Sequence, residues 1–464
     1  MPSTISVVLA LSTASLLACS PSKSNDGLQL QLELSEIIPT VGTVTWSADF
    51  ATADDAQLFY GIDGDLDQVR PLSLDGSETL LLGLKAGHDY QAQLLIDHDG
   101  ETLQSEVTEF EIESAPSSLP DVDLEVFDED AASDGFLITP IFTSPAAPVI
   151  IDTDGDYVWW YIPDNSEEVN YSRVELSPDG QSVLAWTLNV SIGGGGGGGG
   201  GGAQTATGGD QALLEISWDG TDVVNTHIPD GHHDMVALPD GTLAYLEFDV
   251  REDDGEQFEG DQIVELAPDG TSTVIWSFWD DFDPSEGTGD SPGQTWSHAN
   301  ALDYVEAEDA YYVGSLGFQG IIKIDRVSGT PEWVLGGRYS DFTEPDLGTT
   351  LYEFQHQFDR VDEGILVFDN GDQDRYASQA VEYQLDESAQ TAELVWTYAP
   401  DPSVFSFSLG SVQRLDSGNT YVTFSNQGLI DEVDANGELL WRLKMSLGGA
   451  VGYATWLESL YVNE

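Results

Sequence analysis

Residues 238–245 read Leu-Pro-Asp-Gly-Thr-Leu-Ala-Tyr, two short apolar segments on either side of a Pro-Asp-Gly turn. Asp and Gly adopt the backbone angles of tight turns, and short alternating apolar segments on both sides are typical of antiparallel strands. The same pattern recurs in other parts of the chain, at 176–184 (Leu-Ser-Pro-Asp-Gly-Gln-Ser-Val-Leu), 361–368 (Val-Asp-Glu-Gly-Ile-Leu-Val-Phe) and 415–422 (Leu-Asp-Ser-Gly-Asn-Thr-Tyr-Val). A repeated β-hairpin therefore organises most of the chain.

A second recurring segment ends in tryptophan and alternates with these hairpins. It is found at 152–160, 267–276, 324–333, 394–396 and 433–441. Two hairpins in each unit of about 45–65 residues give four strands per unit, which is typical of a β-propeller. We predict a propeller of six blades over residues 120–464, in which ten consecutive glycines at 193–202 form a flexible loop.

Residues 29–114 carry alternating apolar segments separated by Asp/Gly turns, which predicts an antiparallel β-sandwich. Trp46, Tyr60 and the corner 83–90 (Gly-Leu-Lys-Ala-Gly-His-Asp-Tyr) resemble the fibronectin type III pattern. We expect an Ig/fibronectin III-like sandwich, followed by a boundary at the Pro-containing segment 115–120. The fold class predicted for the whole chain is all-β.

Residues 1–19 lack charge and contain an apolar run that ends in Leu-Leu-Ala-Cys19, which is typical of a signal peptide. That ending resembles the lipobox of bacterial lipoproteins, which implies that Cys19 carries lipid. Cys19 is the single cysteine of the chain, so no intramolecular disulfide can form. We expect residues 20–28 to be a linker and the protein to be exported, as an outer-membrane or cell-surface lipoprotein.

The chain is very acidic, with 84 Asp and Glu against 13 Lys and Arg and a net charge of −71. A polyanion such as nucleic acid would be repelled over the whole surface, so nucleic-acid binding is excluded as a function. The composition suits a folded protein in a salty medium, where salt screens the repulsion between its carboxylates.

Three of the seven histidines occupy one position of three consecutive repeats, just before the innermost strand: His233, His298 and His356. Equivalent positions of propeller blades converge on the central axis, so we expect three imidazoles in one cavity. A single histidine at such a position is more often a hydrogen-bonded turn residue. A second alternative is that the three histidines hold a divalent metal such as zinc.

Two Asp-rich runs, 152–156 and 369–372, contain ligands that suit calcium. Asp-Gly pairs form turns equally well, and no complete calcium-binding loop is present. We therefore interpret both runs as turns and assign no metal ligands, with calcium binding as the alternative.

Residues 298–337 contain a series of linked motifs: His-Ala-Asn-Ala-Leu-Asp, Tyr-Tyr-Val-Gly-Ser, Ile-Ile-Lys-Ile-Asp and Gly-Thr-Pro-Glu-Trp-Val-Leu-Gly-Gly. Phe-Gln-His-Gln-Phe at 354–358, Val-Phe-Asp-Asn-Gly at 367–371 and Ala-Val-Glu-Tyr at 380–383 follow in order. Over residues 150–445 the chain resembles the bacterial aryl-sulfate sulfotransferases. The resemblance implies transfer of a sulfuryl group from a phenolic sulfate ester to a phenol through a sulfated histidine, without a nucleotide sulfate donor or other cofactor.

The resemblance also assigns roles to individual residues. His356 matches the family's nucleophile, and an imidazole is suited to form such a covalent intermediate. His298 and His233 match histidines that stabilise the sulfuryl oxygens or move the phenol's proton. His232 and Asn300 are predicted to bind substrate.

One departure from the family pattern lies at Leu316, where the family commonly has an arginine that binds the sulfate oxygens. Loss of such a cation costs about a hundredfold to a thousandfold in rate. Arg375, or else Arg360, could replace it, and we predict Arg375 as a substrate-binding residue. The departure leaves open that the protein is an inactive propeller that binds a ligand or partner at the same pocket.

Overall fold

The computed structural model describes residues 28–47, 53–73, 77–142, 145–164, 166, 169–188, 211–253, 256–284, 296–362, 364–372, 374–446 and 449–462. Cys19, most of the predicted linker and the glycine run lie outside these ranges. The chain is all-β as predicted, with one short α-helix, α1 (Phe278–Asp281), among the described elements. Within the same ranges, every helix is too short or too polar to cross a lipid bilayer.

The chain forms two compact units. The smaller one contains the described parts of 28–33, 43–80 and 88–111. A three-stranded sheet has the order β1 (Gln29–Leu34), β2 (Gly42–Ser47), β5 (Glu78–Leu81). A five-stranded sheet has the order β4 (Gln68–Pro71), β3 (Asp55–Ile62), β6 (Asp89–His98), β7 (Glu101–Gln104), with β8 (Thr108–Glu111) also paired with β6. In β6 every second side chain is buried, as in a sheet with one face toward a core.

The larger unit contains residues 34–42, 81–87 and 112–464. Six antiparallel sheets follow one another along the chain. Sheet 1 consists of β10 (Phe136–Ile141), β11 (Ala147–Asp152), β12 (Tyr157–Trp160) and β33 (Thr455–Leu457). Sheet 2 consists of β13 (Asn170–Leu176), β14 (Ser182–Leu188), β15 (Ala212–Ser217) and β16 (Val223–His227). Sheet 3 consists of β17 (Gly231–Ala237), β18 (Leu243–Asp253), β19 (Glu256–Leu266) and β20 (Ser272–Ser277).

The remaining three sheets repeat this arrangement. Sheet 4 consists of β21 (Ala299–Val305), β22 (Ala310–Ser315), β23 (Gly320–Asp325) and β24 (Thr330–Leu335). Sheet 5 consists of β25 (Phe358–Val361), β26 (Gly364–Asp369), β27 (Gln379–Asp386) and β28 (Thr391–Tyr398). Sheet 6 consists of β29 (Ser411–Arg414), β30 (Thr420–Phe424), β31 (Leu429–Val433) and β32 (Leu439–Met445), and β9 (Val122–Phe127) pairs with β32.

The six sheets form a closed ring. The first strands β10, β13, β17, β21, β25 and β29 contact one another in that order. Strand β29 also contacts β33, which comes from the C-terminal end of the chain and pairs with β10 of sheet 1. In sheets 2–6 the first strand is an edge strand, and in sheet 1 the corresponding edge strand is β33. These six edge strands therefore line the centre of the ring.

The hydrophobic cores lie between consecutive sheets. Trp186 of sheet 2 packs in one cluster with Met235 of sheet 3, and Ile151 of sheet 1 packs with Trp441 of sheet 6. Because each sheet is covered on both faces, central strands such as β11 and β14 are buried at every residue. This explains why those strands are continuous apolar runs in the sequence.

The repeated motifs occupy equivalent places in the sheets. In the turn between β17 and β18, Gly241 has a φ of +83°, and the Asp240 carboxylate accepts a hydrogen bond from the Thr242 N–H at 2.9 Å. Glycine suits that left-handed conformation, so the Asp-Gly pair begins a hairpin at this point. The recurring tryptophans lie on β12, β20, β24, β28 and β32, each on the side of its sheet away from the ring centre.

Candidate functional site

The three predicted site histidines lie at the beginning of the first strands of sheets 3, 4 and 5. His233 lies within β17, at a point where the pairing of β17 with β18 is interrupted by a bulge. His298 directly precedes β21, and His356 lies two residues before β25. Since β17 contacts β21 and β21 contacts β25, these positions are neighbours on one rim of the ring.

The structure brings these side chains together. The ring centroids of His233 and His298 are 5.4 Å apart. His356 is close enough to lower the pKa of His233, and His298 is close enough to lower the pKa of His356. Three imidazoles distant in sequence therefore share one site at the ring axis.

His356 is held by Asn370, which follows β26. The Nδ1 atom of His356 lies 2.8 Å from Oδ1 of Asn370 and 3.3 Å from the carbonyl oxygen of Phe354. The Asn370 Nδ2 group donates to the carbonyls of Ser406 (2.7 Å) and Leu409 (2.8 Å), which fixes the orientation of the amide. Both partners of His356 Nδ1 are acceptors, so Nδ1 carries the proton and Nε2 carries the lone pair.

All three imidazoles are kept neutral by their environment. Burial lowers the pKa of His356 to about 4, with His298 lowering it further and the Asn370 hydrogen bond opposing the shift. Burial lowers the pKa of His233 well below its usual value, and His232, His298 and His356 add to this effect. Burial also lowers the pKa of His298. Neutral imidazoles are available as nucleophiles and bases at pH 7.

Two of the site histidines have an unusual backbone conformation. The φ angles of His233 and His298 are +48° and +44°. A non-glycine residue in this left-handed region costs about 1–3 kcal/mol, and such residues concentrate at functional sites. The surrounding structure therefore holds these two side chains in place at the expense of stability.

His232 lies behind His233 and has no exposed surface. Its Nδ1 is 2.8 Å from Nδ1 of His233, and its ring stacks on Phe248 with centroids 4.0 Å apart. Its Nε2 lies 3.1 Å from Oδ1 of Asp261, a carboxylate on β19. This environment favours a role through His233 over direct contact with substrate.

Asn300 and Leu316 both adjoin the histidines. Asn300 is fully buried in a bulge of β21, and its Nδ2 donates to the carbonyl of Gln355 at 2.7 Å, directly before His356. The Leu316 N–H donates to the carbonyl of His298 at 2.9 Å. Leu316, where the family resemblance predicts an arginine, is therefore next to the site.

The two arginines considered as replacements have carboxylate partners. The Arg375 guanidinium donates twice to the Asp369 carboxylate, at 2.6 and 2.7 Å, and to the carbonyl of Ala377 at 2.9 Å. Arg360 lies 3.3 Å from Glu308 and also donates to the Gly364 carbonyl. A role for Arg375 in substrate binding remains a prediction.

Among the described residues, no group of three or more His, Cys, Asp or Glu side chains is arranged to hold a metal ion. In the run 152–156, Lys85 Nζ lies 2.9 Å from Asp152 and 3.4 Å from Asp156, and it also contacts Asp154. In the run 369–372, Arg375 binds Asp369. Cations of the protein itself thus contact the carboxylates that suggested calcium.

The sequence model of the arylsulfotransferase (ASST) family matches residues 128–441. The chain belongs to the arylsulfotransferase family. The match begins before β10 and ends within β32, and it includes His232, His233, Asn300, Leu316 and Asn370 together with His298 and His356. The family assignment made from the linked motifs is therefore confirmed.

Comparison with other proteins gives distant similarities. No curated protein matches the sequence. The structure is similar to a Bacteroides caccae protein of unknown function (14% identity, 70% of this chain and 100% of that chain, TM-score 0.44). It is also similar to a streptogramin B lyase (11% identity, 72% and 98%, TM-score 0.38) and to the β-propeller domain of Myceliophteria thermophila Cps50 (11% identity, 71% and 91%, TM-score 0.37).

Two residues that contact the site histidines were not identified from sequence. Asn370 is part of the quoted segment Val-Phe-Asp-Asn-Gly at 367–371, so a signal was present, but its partner could not be inferred from the motif. Asp261 lies in Glu259-Gly-Asp261, a segment with no recognisable motif. Its contact with His232 arises because β19 pairs with β18, which pairs with β17.

Proposed function

We propose that this arylsulfotransferase moves a sulfuryl group from a phenolic sulfate ester to a phenol through a sulfated His356, without a nucleotide sulfate donor. Family membership supports the general class of reaction, with a phenolic sulfate donor and a phenol acceptor. His233, His298 and His356, the axial histidines, share one site, and this supports a reaction through a covalent sulfo-histidine intermediate.

The observation that carries the proposal is the pairing of His356 with Asn370. Because Nδ1 donates to an amide oxygen whose orientation is fixed by two further hydrogen bonds, the Nε2 lone pair is free to react. The lowered pKa keeps that lone pair unprotonated at neutral pH. A nucleophile with a fixed tautomer and an oriented ring is what covalent catalysis requires.

The reaction has two steps. In the first, the His356 Nε2 lone pair attacks the sulfur of the donor, the sulfur–oxygen bond to the aryl group breaks, and its electron pair leaves with the phenolate. In the second, the oxygen of an acceptor phenol attacks the same sulfur while its proton passes to a base. The sulfur–nitrogen bond breaks, and its electron pair returns to Nε2.

We infer that the six sheets are the blades of a six-bladed β-propeller and that residues 29–114 form an Ig/fibronectin III-like sandwich. The propeller is supported by six consecutive sheets whose first strands contact one another in a ring. It is also supported by the pairing of β33 with β10, because propellers commonly close their ring by joining the two ends of the chain in one blade.

The test is mass spectrometry of the purified protein after incubation at high salt with an aryl sulfate and no acceptor. We expect a gain of one sulfuryl group on His356 and release of the phenol. His356→Ala should show neither, whereas His227→Ala, which alters an exposed histidine on β16, should behave like the wild type. Sulfation of wild type and His356→Ala alike would contradict the assignment.

A second candidate function is binding without turnover at the same axial pocket. It is favoured by Leu316, which lies beside His298 where the family has a cation. A protein of this kind would bind an aryl sulfate or another ligand in a His356-dependent way but would release no phenol. Calorimetry with the same aryl sulfate, next to the assay above, separates the two functions.

We also propose export and attachment to the outer membrane or cell surface through lipid on Cys19. The supporting observation is the apolar segment that ends in Leu-Leu-Ala-Cys19. Expression of the full chain with radiolabelled palmitate should label the wild type and leave Cys19→Ser unlabelled. Equal labelling of both would contradict the proposal.

A further inference from the structure

His232 and Asp261 form a buried pair that the reaction described above does not use. Both residues have no exposed surface. The His232 Nε2 and Asp261 Oδ1 atoms face each other at 3.1 Å, and neither makes an aligned hydrogen bond within the described part of the chain. A buried polar atom without a partner is costly, and a small rotation of the His232 ring would let these two atoms satisfy each other.

The orientation of Asp261 is fixed by its other oxygen. Oδ2 accepts hydrogen bonds from the Ser297 hydroxyl and from the Ala299 N–H, both at 2.6 Å. Oδ1 is left to face His232. A carboxylate accepts hydrogen bonds and does not donate them when ionised, so the proton between the two residues belongs to His232 Nε2.

This proton determines the tautomers of two histidines. A neutral His232 with a proton on Nε2 has a lone pair on Nδ1, which lies 2.8 Å from Nδ1 of His233. His233 must then donate from Nδ1, and its own Nε2 carries a lone pair. Unlike His232, His233 is only partly buried.

We propose that Asp261 and His232 form a proton relay that makes Nε2 of His233 the base for the acceptor phenol. This inference rests on the proposed function. In the second step the phenol proton moves to His233 Nε2 as the phenol oxygen attacks the sulfur carried by His356. The positive charge that develops on His233 is stabilised through its Nδ1–H bond to His232 and by the Asp261 carboxylate.

The relay also assigns separate tasks to the axial histidines. His356 holds the sulfuryl group, and His233 accepts the proton. His232 and Asp261 act through His233 and are positioning residues. His233 is neutral before the first step and has no proton to give to the phenolate that leaves, so the relay acts in the second step.

The test uses Asp261→Asn in the full chain. The asparagine oxygen can keep the bonds from Ser297 and Ala299, but its amide would donate to His232 Nε2. That donation moves the His232 proton to Nδ1 and leaves His233 protonated on Nε2, which removes the base. A matched control is Asp431→Asn, because Asp431 is equally buried and binds Arg442 and Tyr398.

The two half-reactions are measured separately by rapid mixing. With nitrophenyl sulfate as donor, sulfation of His356 should proceed in Asp261→Asn within about threefold of the wild-type rate. Transfer to an acceptor phenol should slow by about 10²–10⁴-fold, as expected for loss of a general base. The loss should shrink as more acidic phenols are used, because these need less help to lose their proton.

Three results would overturn the relay. One is equal slowing of both half-reactions, which indicates a structural role for Asp261. Another is an unchanged transfer rate in Asp261→Asn and in a second variant, His232→Phe, when both fold as the wild type does by circular dichroism. The third is absence of sulfated His356 in the wild type, which removes the proposed function as well and is thereby distinguished from failure of the relay alone.

Discussion

The Nδ1 atom of His356 lies 2.8 Å from Oδ1 of Asn370, and this pair joins the segment before β25 to the segment after β26. Asn370 is fully buried, and its amide is anchored by two backbone carbonyls. The tautomer of the proposed nucleophile is thus set by a residue that need not touch substrate.

Asn370→Ala is expected to slow formation of sulfated His356 by about a hundredfold, because the tautomer and orientation of the ring are no longer fixed. It should also lower stability by about 1–3 kcal/mol, since two carbonyls lose their donors. Burst kinetics and thermal melting measure the two effects. Asn419→Ala, in the turn between β29 and β30, is the control and should retain full activity. A burst of normal rate in Asn370→Ala would contradict the role of Asn370 in orienting His356.

The pH dependence of the first half-reaction should report a depressed pKa. Burial lowers the pKa of His356 to about 4, so the neutral nucleophile persists as the pH falls and is lost only near pH 4. We expect the burst rate with nitrophenyl sulfate to stay level from pH 8 to about pH 5.5. A decline centred near pH 6.5, the ordinary histidine value, would show that His356 is not buried in the working enzyme.

Leu316→Arg should place a cation beside His298. If the reaction is sulfuryl transfer, turnover should rise by about tenfold to a hundredfold, since a positioned cation stabilises the charge that develops on the sulfuryl oxygens. Leu347→Arg, at a residue that is 45% exposed, controls for the added charge. An unchanged or lower turnover in Leu316→Arg alone, with its fold intact, would show that this enzyme does not use a cation at that place.

Glu175→Gln should stabilise the protein at alkaline pH. Burial raises the pKa of Glu175 to about 7, opposed by Arg173 and reinforced by Asp234 and Asp303. A raised pKa means that stability is greatest while Glu175 is protonated and is lost as the pH rises toward about 7. The melting temperature of Glu175→Gln should exceed that of the wild type at pH 8.5 and equal it near pH 5.

The comparison with the exposed Glu393→Gln separates this effect from a general loss of negative charge. The glutamine also keeps an oxygen for the Ala237 N–H, which Glu175 binds at 2.9 Å. Equal effects of both variants at pH 8.5 would contradict the prediction.

Salt should stabilise the folded chain strongly. With a net charge of −71, repulsion between carboxylates opposes folding, and the Debye length falls from about 10 Å at 0.1 M to about 3 Å at 1 M ionic strength. Thermal melting in 0.1, 1 and 2 M KCl should show a rising midpoint with most of the gain below 1 M. A midpoint that falls with KCl would contradict the electrostatic explanation.

The sequence by itself determined the all-β class, the repeated hairpins and the shared repeat position of His233, His298 and His356. The alternation of apolar and polar residues along a strand and the Asp-Gly pair of a tight turn are local features of the sequence. They can therefore be identified before the fold is known. Equivalent positions in a repeat also have equivalent places in the structure, which is why their convergence could be predicted. The motifs that follow one another in residues 298–383 identified the family.

The tertiary structure decided which partners those histidines meet. Asn370 sets the tautomer of His356, Asp261 faces His232, and Asp369 binds Arg375. The partners of the histidines come from other strands or from neighbouring loops. Each contact depends on the orientation of a side chain, which the spacing of residues along the sequence does not reveal. Even Arg375 and Asp369, six residues apart, meet only because the loop between β26 and β27 folds back on itself.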